Sequence, residues 1–212
     1  MNITGKFNTA IEQLPLIAIL RGLLPSEATS IGQVLTDCSW PLIEVPLNSP
    51  QPLDSIAALL ASQPGALIGA GTVLTVADVR NVHAAGGQMV VSPNFNADVV
   101  RESRRLDMIS LPGVITPSEA FAALAAGASG LKLFPAEMIT PAVVKALRAV
   151  LPKDVKLMPV GGIGPHDMAS WRAAGANGFG IGSALYKPGM TANQVRERAQ
   201  AFVSSWAGTL WA

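Results

Sequence analysis

The chain has 212 residues, of which 15 are Lys or Arg and 14 are Asp or Glu, so its formal net charge is +1. Charges this balanced and this evenly spread give no electrostatic footprint for nucleic acid or an anionic membrane, and we expect neither as a partner. Half of the residues are hydrophobic, yet no run approaches the roughly 18 apolar residues that a membrane span needs. The apolar residues therefore belong to a core.

Strand-like apolar runs recur along the whole chain, with segments of helical period between them. The eight runs are roughly 19 to 26 residues apart and begin near Leu16, Leu42, Leu67, Met89, Met108, Gly130, Lys156 and Gly178. They are apolar on both faces, which is typical of parallel strands that are buried on both sides. Strands that alternate with helices in this way predict an α/β protein with a parallel sheet.

The segments between the strands carry repeated start and stop signals for helices. Proline is expected at the first helical position in Thr116-Pro117, Thr140-Pro141 and Gly164-Pro165. Ala-Ala-Gly is expected to end a helix at Gly86, Gly127 and Gly175. Eight such strand–helix units predict a (β/α)8 barrel with short loops and additional N-terminal and C-terminal helices. A flavodoxin-like open sheet is the alternative, although it usually needs only five or six strands.

Composition also sets expectations for domains, compartment and metals. No linker rich in Ser, Gly or Pro divides the chain, so we expect a single domain over residues 1–212. The first residues lack a basic segment leading into an apolar stretch, which predicts a cytoplasmic protein. Cys38 is the single cysteine, and the two histidines, His83 and His166, fall in separate helical patterns. We therefore expect neither a disulfide nor a protein-bound metal.

Lys132 is the most informative residue, because it interrupts the apolar strand Gly130-Leu131-Lys132-Leu133-Phe134. An ammonium group is costly to bury, so this lysine is either paired or held partly neutral, and a neutral amine is a nucleophile. Glu44 is equally out of place in the second apolar strand. A buried amine and a buried carboxylate together indicate carbonyl chemistry through a Schiff base. The alternatives for Lys132 are an ion pair, or a buried stem whose charged end reaches the rim of the barrel. The alternative for Glu44 is a structural pairing with Arg21 or Lys132.

The last two strands end in glycine-rich loops, at Gly161-Gly162 and at Gly182-Ser183. Glycines allow backbone N–H groups to approach an anion closely, and barrels commonly bind phosphate after strands seven and eight. We therefore expect a phosphorylated substrate. No phosphate-binding loop with a lysine and no Gly-x-Gly-x-x-Gly after the first strand is present, so a nucleotide cofactor is not indicated.

Six motifs in chain order strongly resemble the 2-keto-3-deoxy-6-phospho-sugar-acid aldolases. They are Leu16–Gly22, Ile43–Pro50, Ile68–Val73, Ser92–Asn94, Leu131–Pro135 and Val160–Ile163. The resemblance implies a class I aldolase on a small (β/α)8 barrel, usually trimeric, that needs no cofactor beyond a lysine–pyruvate imine. In that family a lysine on the sixth strand forms the Schiff base, matched here by Lys132, and the general acid/base is matched by Glu44.

The resemblance also assigns the remaining binding residues. Arg21 and Thr72, with the Gly71 N–H, are expected to hold the pyruvate carboxylate, and Pro93 and Phe134 to wall the pyruvate side. The substrate phosphate is expected to bind to Gly161, Gly162, Gly182 and Ser183.

Two departures bear on the substrate of this chain. Asn48 stands where gluconate-type enzymes carry an arginine, and Val160 stands where they carry a threonine near the sugar hydroxyls. The galactonate-type branch resembles this chain at both places and has an arginine on strand one, as Arg21 is here. We therefore expect reversible cleavage of 2-dehydro-3-deoxy-6-phosphogalactonate to pyruvate and glyceraldehyde 3-phosphate.

Three alternatives stay open at this point: the gluconate epimer as the main substrate, a phosphate-binding barrel isomerase or epimerase without a covalent lysine, and a metabolite-binding barrel without catalysis. The two tryptophans of the C-terminal tail also allow two interpretations. Trp206 and Trp211 either pack within the chain or anchor a subunit interface.

Overall fold

The structure is a computed structural model that describes residues 2–208. The strands are β1 (Leu16–Ile19), β2 (Leu42–Pro46), β3 (Leu67–Gly71), β4 (Met89–Val91), β5 (Ile109–Leu111), β6 (Gly113–Val114), β7 (Leu131–Leu133), β8 (Leu157–Pro159) and β9 (Phe179–Ile181). The helices are α1 (Ile3–Gln13), α2 (Pro25–Asp37), α3 (Pro52–Ser62), α4 (Val76–Ala84), α5 (Ala97–Arg105), α6 (Pro117–Ala125), α7 (Pro141–Val150), α8 (Met168–Ala173) and α9 (Ala192–Gly208), with a 3-10 helix at Ala136–Met138. Every predicted apolar run forms a strand that begins within one residue of its predicted start.

The fifth apolar run is divided into β5 and β6 by Pro112. Proline has no N–H to give to a neighbouring strand, so the ladder is interrupted there. The Pro112 carbonyl still accepts a hydrogen bond from the Lys132 N–H at 3.0 Å. The sixth strand expected from the sequence is therefore β7.

All strand pairs are parallel, and the strands form a curled sheet in two hydrogen-bonded parts. One part has the order β5-β4-β3-β2-β1-β9 and the other the order β6-β7-β8. An isolated parallel bridge between Val160 and Gly180 links the end of β8 to β9. The first and last strands are thus neighbours, an order that differs from the flavodoxin-like alternative. The fold is α/β with a parallel curled sheet, as predicted.

Most of the predicted helix boundaries are confirmed. Thr116 caps α6 by accepting the Glu119 N–H, and Pro117 is the first helical residue. Gly86, Gly127 and Gly175 follow helix ends with positive φ angles, a conformation that costs glycine little.

The predicted start of α8 at Pro165 is wrong, because the helix begins at Met168. The Asp167 carboxylate accepts the Gly164 N–H at 2.7 Å, and the Asp167 N–H bonds back to the Gly164 carbonyl. These two bonds close residues 164–167 into a turn of their own and delay the helix.

The apolar core has two parts. The larger part lies between the strands and the surrounding helices. The smaller part lies inside the curled sheet, where Phe7 and Ala10 of α1 pack against strand residues such as Leu42 and Leu67. Lys6 of α1 donates to the carbonyls of residues 64 and 66, just before β3 begins. Helix α1 therefore covers the amino ends of the strands and leaves the carboxyl ends open.

The C-terminal helix α9 follows the last strand, as each of α2 to α8 follows its own strand, so α1 is the helix outside the repeat. Trp206 of α9 packs within the chain: its ring meets Phe179 edge to face at 6.3 Å, and the Arg172 guanidinium lies 3.7 Å from its centre. Trp211 lies outside the described residues. Within the described part of the chain, no helix combines the length and the apolar character that a membrane span requires.

Candidate active site

A pocket of about 940 Å³ opens at the carboxyl ends of the strands. The residues predicted from the sequence that form its wall are Arg21, Glu44, Lys132, Phe134, Val160, Gly161, Gly162, Gly182 and Ser183. These residues lie on or directly after β1, β2, β7, β8 and β9, which are far apart in the chain. Parallel strands bring their carboxyl ends to one edge, and this is the reason the residues meet.

Three predicted binding residues, Gly71, Thr72 and Pro93, lie outside this wall. Gly71 lies directly behind the Glu44 carboxylate, and a Cβ at position 71 would overlap the carboxylate oxygens. Thr72 has a φ of 56°, which is uncommon for a residue with a side chain. The Pro93 carbonyl packs against Gly113. The structure thus gives Gly71 a clear role in leaving room for Glu44.

Lys132 is the central residue of β7 and only 7 % exposed. Its Nζ atom lies 4.5 Å from the centre of the Phe134 ring. Among the described residues Lys132 forms no ion pair; the four that occur there join other side chains. Burial lowers the pKa of Lys132, and the Arg21 charge adds to this effect while Glu44 opposes it. The expected alternative of an ion-paired lysine is therefore not what the structure shows.

Glu44 is the central residue of β2 and 2 % exposed. Its Oε2 atom is buried and has no hydrogen-bond partner among the described residues. Burial raises the pKa of Glu44 to about 7, against the opposing charges of Lys132 and Arg21. A carboxyl group with a pKa near neutral pH can both donate and accept a proton, which suits general acid/base catalysis.

Arg21 lies at the end of β1 and donates a 2.6 Å hydrogen bond to the Asn48 side chain. It forms no ion pair with Glu44 among the described residues, so the structural pairing of these two residues is not observed. Asn48, which stands where gluconate-type enzymes resemble one another in carrying an arginine, thus holds the Arg21 guanidinium at the pocket. Within residues 2–208 the other guanidinium N–H groups of Arg21 donate no hydrogen bond, and a guanidinium group has the donor geometry that a carboxylate requires.

The far end of the pocket is lined by backbone. Gly161 and Gly162 have φ angles of 117° and 64°. Within residues 2–208, the N–H groups of Gly162, Gly182 and Ser183 donate no hydrogen bond. Successive free N–H groups in such a conformation form a concave anion site. Such backbone N–H groups suit a phosphate group, and no nucleotide-binding loop is needed for this.

Sequence reasoning missed four charged residues in the wall: Glu137, Asp167, Lys187 and Arg198. Glu137 packs so closely on Gly161 and Gly162 that a Cβ on either glycine would meet its side chain. Glu137 could have been found from its place two residues after Pro135, next to the strand that carries Lys132. Arg198 comes from the middle of α9, and no motif marks it. No group of three or more His, Cys, Asp or Glu side chains in residues 2–208 is arranged to hold a metal ion.

The described residues bring together a buried amine that forms no ion pair, a buried carboxyl group and an anion-binding end, in a curled parallel sheet. This combination is that of an imine-forming aldolase. A sequence model of the family described as "KDPG and KHG aldolase" matches residues 7–201, and the chain belongs to this family.

Two similar proteins are named for the galactonate branch of this family. The chain is 49% identical over 193 residues to the probable 2-dehydro-3-deoxy-6-phosphogalactonate aldolase of Rhizobium meliloti, covering 91% of each chain. It is 44% identical over 195 residues to the 2-dehydro-3-deoxy-6-phosphogalactonate aldolase of Escherichia coli K12, covering 92% of this chain and 95% of that one. A solved structure described as native KDPGal is similar with a TM-score of 0.92 and 42% identity, over 94% of this chain and 98% of its own.

Proposed function

We propose that this protein is a class I aldolase that reversibly cleaves 2-dehydro-3-deoxy-6-phosphogalactonate to pyruvate and glyceraldehyde 3-phosphate. The observation that carries the proposal is Lys132, which is buried in the wall of the pocket and forms no ion pair within residues 2–208. The two relatives named for the galactonate epimer favour this substrate over the gluconate epimer. Membership of an aldolase family favours it over an isomerase, an epimerase or a metabolite-binding barrel.

In the first half of the reaction, the neutral Lys132 amine attacks the C2 ketone carbon of the substrate and forms a carbinolamine. Protonated Glu44 gives its proton to the departing hydroxyl, and a protonated imine and water result. The imine then accepts electrons from the C3–C4 bond. No external cofactor is needed, since the imine itself serves as the electron sink.

In the second half, ionised Glu44 takes the proton of the C4 hydroxyl as the C3–C4 bond breaks. Glyceraldehyde 3-phosphate leaves, and an enamine remains on Lys132. Glu44 returns its proton to C3, and water hydrolyses the resulting protonated imine to pyruvate and neutral lysine. The proton released in this step goes back to Glu44. One group with a pKa near 7 serves both steps, because it is half ionised at neutral pH.

The substrate binds with its carboxylate toward Arg21 and its phosphate toward the glycine loops. Gly71, which packs on the Glu44 carboxylate, and Thr72 after it complete the carboxylate site, and Pro93 joins Phe134 as the apolar wall. The N–H groups of Gly161, Gly162, Gly182 and Ser183 bind the phosphate. Val160 lies between the two ends, beside the sugar hydroxyls.

We also propose that the strands close into one (β/α)8 barrel that forms a single domain over residues 1–212. Counting β5 and β6 as one interrupted strand gives eight strand–helix units. The Val160–Gly180 bridge closes the gap between β8 and β9, and Pro112 closes the gap between β5 and β6.

On the basis of the family resemblance, we propose a homotrimer, which light scattering on the purified protein tests. Because its substrates are phosphorylated intermediates, we propose that it acts in the cytoplasm.

The experiment that tests the function compares cleavage of the galactonate and gluconate epimers by the purified protein, with pyruvate release as the readout. We expect a higher kcat/KM for the galactonate epimer. Equal or higher kcat/KM for the gluconate epimer contradicts the substrate, and release of no pyruvate from either contradicts the reaction.

Val160 is expected to contribute to the choice of epimer, because it offers no hydrogen bond to a sugar hydroxyl. Val160→Thr keeps the volume of the side chain and adds a hydroxyl, so the preference for the galactonate epimer should fall about tenfold. Val160→Ala is the matched control, since it changes the volume without adding a hydrogen-bonding group. The expectation is wrong if the ratio of kcat/KM values for the two epimers is the same in Val160→Thr and in the unmodified protein.

Arg21 is expected to bind the carboxylate of both substrate and pyruvate. Loss of a charge-assisted hydrogen bond costs about 1.5–3 kcal/mol, so Arg21→Leu should raise the KM for substrate roughly 10- to 100-fold. The pyruvate concentration that gives half-maximal borohydride trapping should rise by a similar factor. Arg101→Leu, an exposed arginine of α5 that pairs with Asp98, is the control. An unchanged pyruvate concentration in Arg21→Leu contradicts the assignment.

A further inference from the structure

The turn that follows β9, residues 182–186, is tied to helix α9 by one arginine. The Arg198 guanidinium donates from one nitrogen to the carbonyls of Ser183 at 3.1 Å and Ala184 at 3.4 Å. The turn closes on itself as well, because the Gly182 carbonyl accepts the N–H groups of Leu185 and Tyr186 at 2.8 and 3.0 Å. The conformation of the turn is thus held from inside by Gly182 and from outside by Arg198.

These bonds decide which way the peptide groups of the turn face. The C=O of Ser183 and the N–H of Ala184 belong to one planar peptide unit and point in opposite directions. When Arg198 holds the Ser183 carbonyl, the Ala184 N–H is turned away from α9. Within the described residues the N–H groups of Gly182, Ser183 and Ala184 donate to no other group, and all three residues line the pocket.

The positive charge of Arg198 is a second feature that bears on phosphate binding. The Glu137 side chain packs against Gly161 and Gly162, and all three residues line the same pocket as the turn. A phosphate dianion placed beside a carboxylate is repelled unless cations lie nearby. Besides Arg21, Glu44 and Lys132, the charged residues of the pocket wall are Glu137, Asp167, Lys187 and Arg198. Of the two basic ones, Arg198 is the one whose side chain bonds to the turn within residues 2–208.

We propose that Arg198 is a positioning residue for the substrate phosphate: it holds the turn after β9 with its N–H groups facing the pocket and offsets the Glu137 charge. The inference rests on the proposed function, because it assumes that the phosphate of the sugar acid binds at this turn. Arg198 takes no part in imine formation at Lys132. Its effect is therefore confined to ligands that carry a phosphate.

The test compares Arg198→Gln and Arg198→Lys with the unmodified protein. Arg198→Gln should raise the KM for the phosphorylated substrate about tenfold, leave kcat within about twofold, and weaken inhibition by inorganic phosphate by a similar factor. Borohydride trapping with pyruvate alone, which needs no phosphate site, should be unchanged. Arg198→Lys keeps the charge but not the planar donor geometry, so it should recover part of the lost affinity.

Arg196→Gln is the matched control, because it makes the same change on the same helix and removes the ion pair of Arg196 with Asp37. It should leave the KM and the phosphate inhibition unchanged. The proposal is overturned if Arg198→Gln keeps both values, or if it lowers kcat and pyruvate trapping together, as a general disturbance of the site does. Absence of pyruvate trapping in the unmodified protein contradicts the proposed function, and inorganic phosphate binding measured by calorimetry then still tests Arg198 separately.

Discussion

Replacing Lys132 by methionine is expected to abolish aldol cleavage, with kcat reduced at least about 10⁴-fold. Methionine fills nearly the same volume in the centre of β7 but has no amine, so no imine can form. Borohydride added with pyruvate should attach one reduced pyruvate to Lys132 in the unmodified protein and none in the variant. Peptide mapping by mass spectrometry locates the label.

The control for this experiment is Lys145→Met, which removes an exposed lysine of α7 and should keep both activity and labelling. The loss in Lys132→Met should not come from unfolding. Burial disfavours the charged amine, so its removal is expected to leave the thermal midpoint equal or higher. Labelling of any other lysine, or cleavage that survives in Lys132→Met, contradicts the mechanism.

Glu44→Gln is expected to reduce kcat by about 10²- to 10⁴-fold, because glutamine keeps the shape of the side chain but cannot exchange a proton. Imine formation slows with it, since the carbinolamine loses its proton donor. In the unmodified protein, C3–C4 cleavage should accelerate as the pH rises through about 7, when the carboxyl group ionises and becomes a base. This inflection should be absent from the pH profile of the variant.

The same substitution is expected to stabilise the protein at high pH. The pKa of Glu44 rises from 4.5 to about 7 on folding, so the folded chain keeps a proton that the unfolded chain loses. The contribution of this proton to the free energy of unfolding is complete below pH 4.5. It falls as the pH rises from 4.5 and is lost once the pH has passed through 7. At 1.36 kcal/mol per pH unit, the difference in unfolding free energy between variant and unmodified protein should grow by about 2 to 3 kcal/mol from pH 5 to pH 8.

Urea unfolding at the two pH values measures this difference. Glu197→Gln, which replaces an exposed carboxylate of α9, is the control and should change stability by less than about 0.5 kcal/mol at either pH. A Glu44→Gln variant that is equally destabilised at pH 5 and pH 8 shows that the carboxyl group is ionised and satisfied in the fold, and it contradicts the acid/base assignment.

Much of this site was accessible from the sequence, because charged residues in apolar strands are rare. Lys132 and Glu44 stand out since every neighbour in their strands is apolar, and burial of such a group demands a chemical reason. The glycine pairs after the last two strands were informative for a similar reason, because close approach of a backbone to an anion needs residues without side chains. Arg198 gave no such signal, since arginines in the middle of a helix are common.

The order of strands and helices, their parallel pairing and the two buried groups proposed to carry the chemistry can all be predicted from the chain. These follow from local patterns of apolar residues, prolines and glycines, which act over a few positions of the chain. The partners of these groups became visible in the fold: Arg21 binds Asn48 and not Glu44, and Gly71 makes space for the Glu44 carboxylate. Both contacts join segments that are remote in the chain, which residue spacing does not encode. The turn at Pro165 is local, but it depends on the Asp167 side chain bonding back to Gly164, and a proline at a helix start does not reveal this bond.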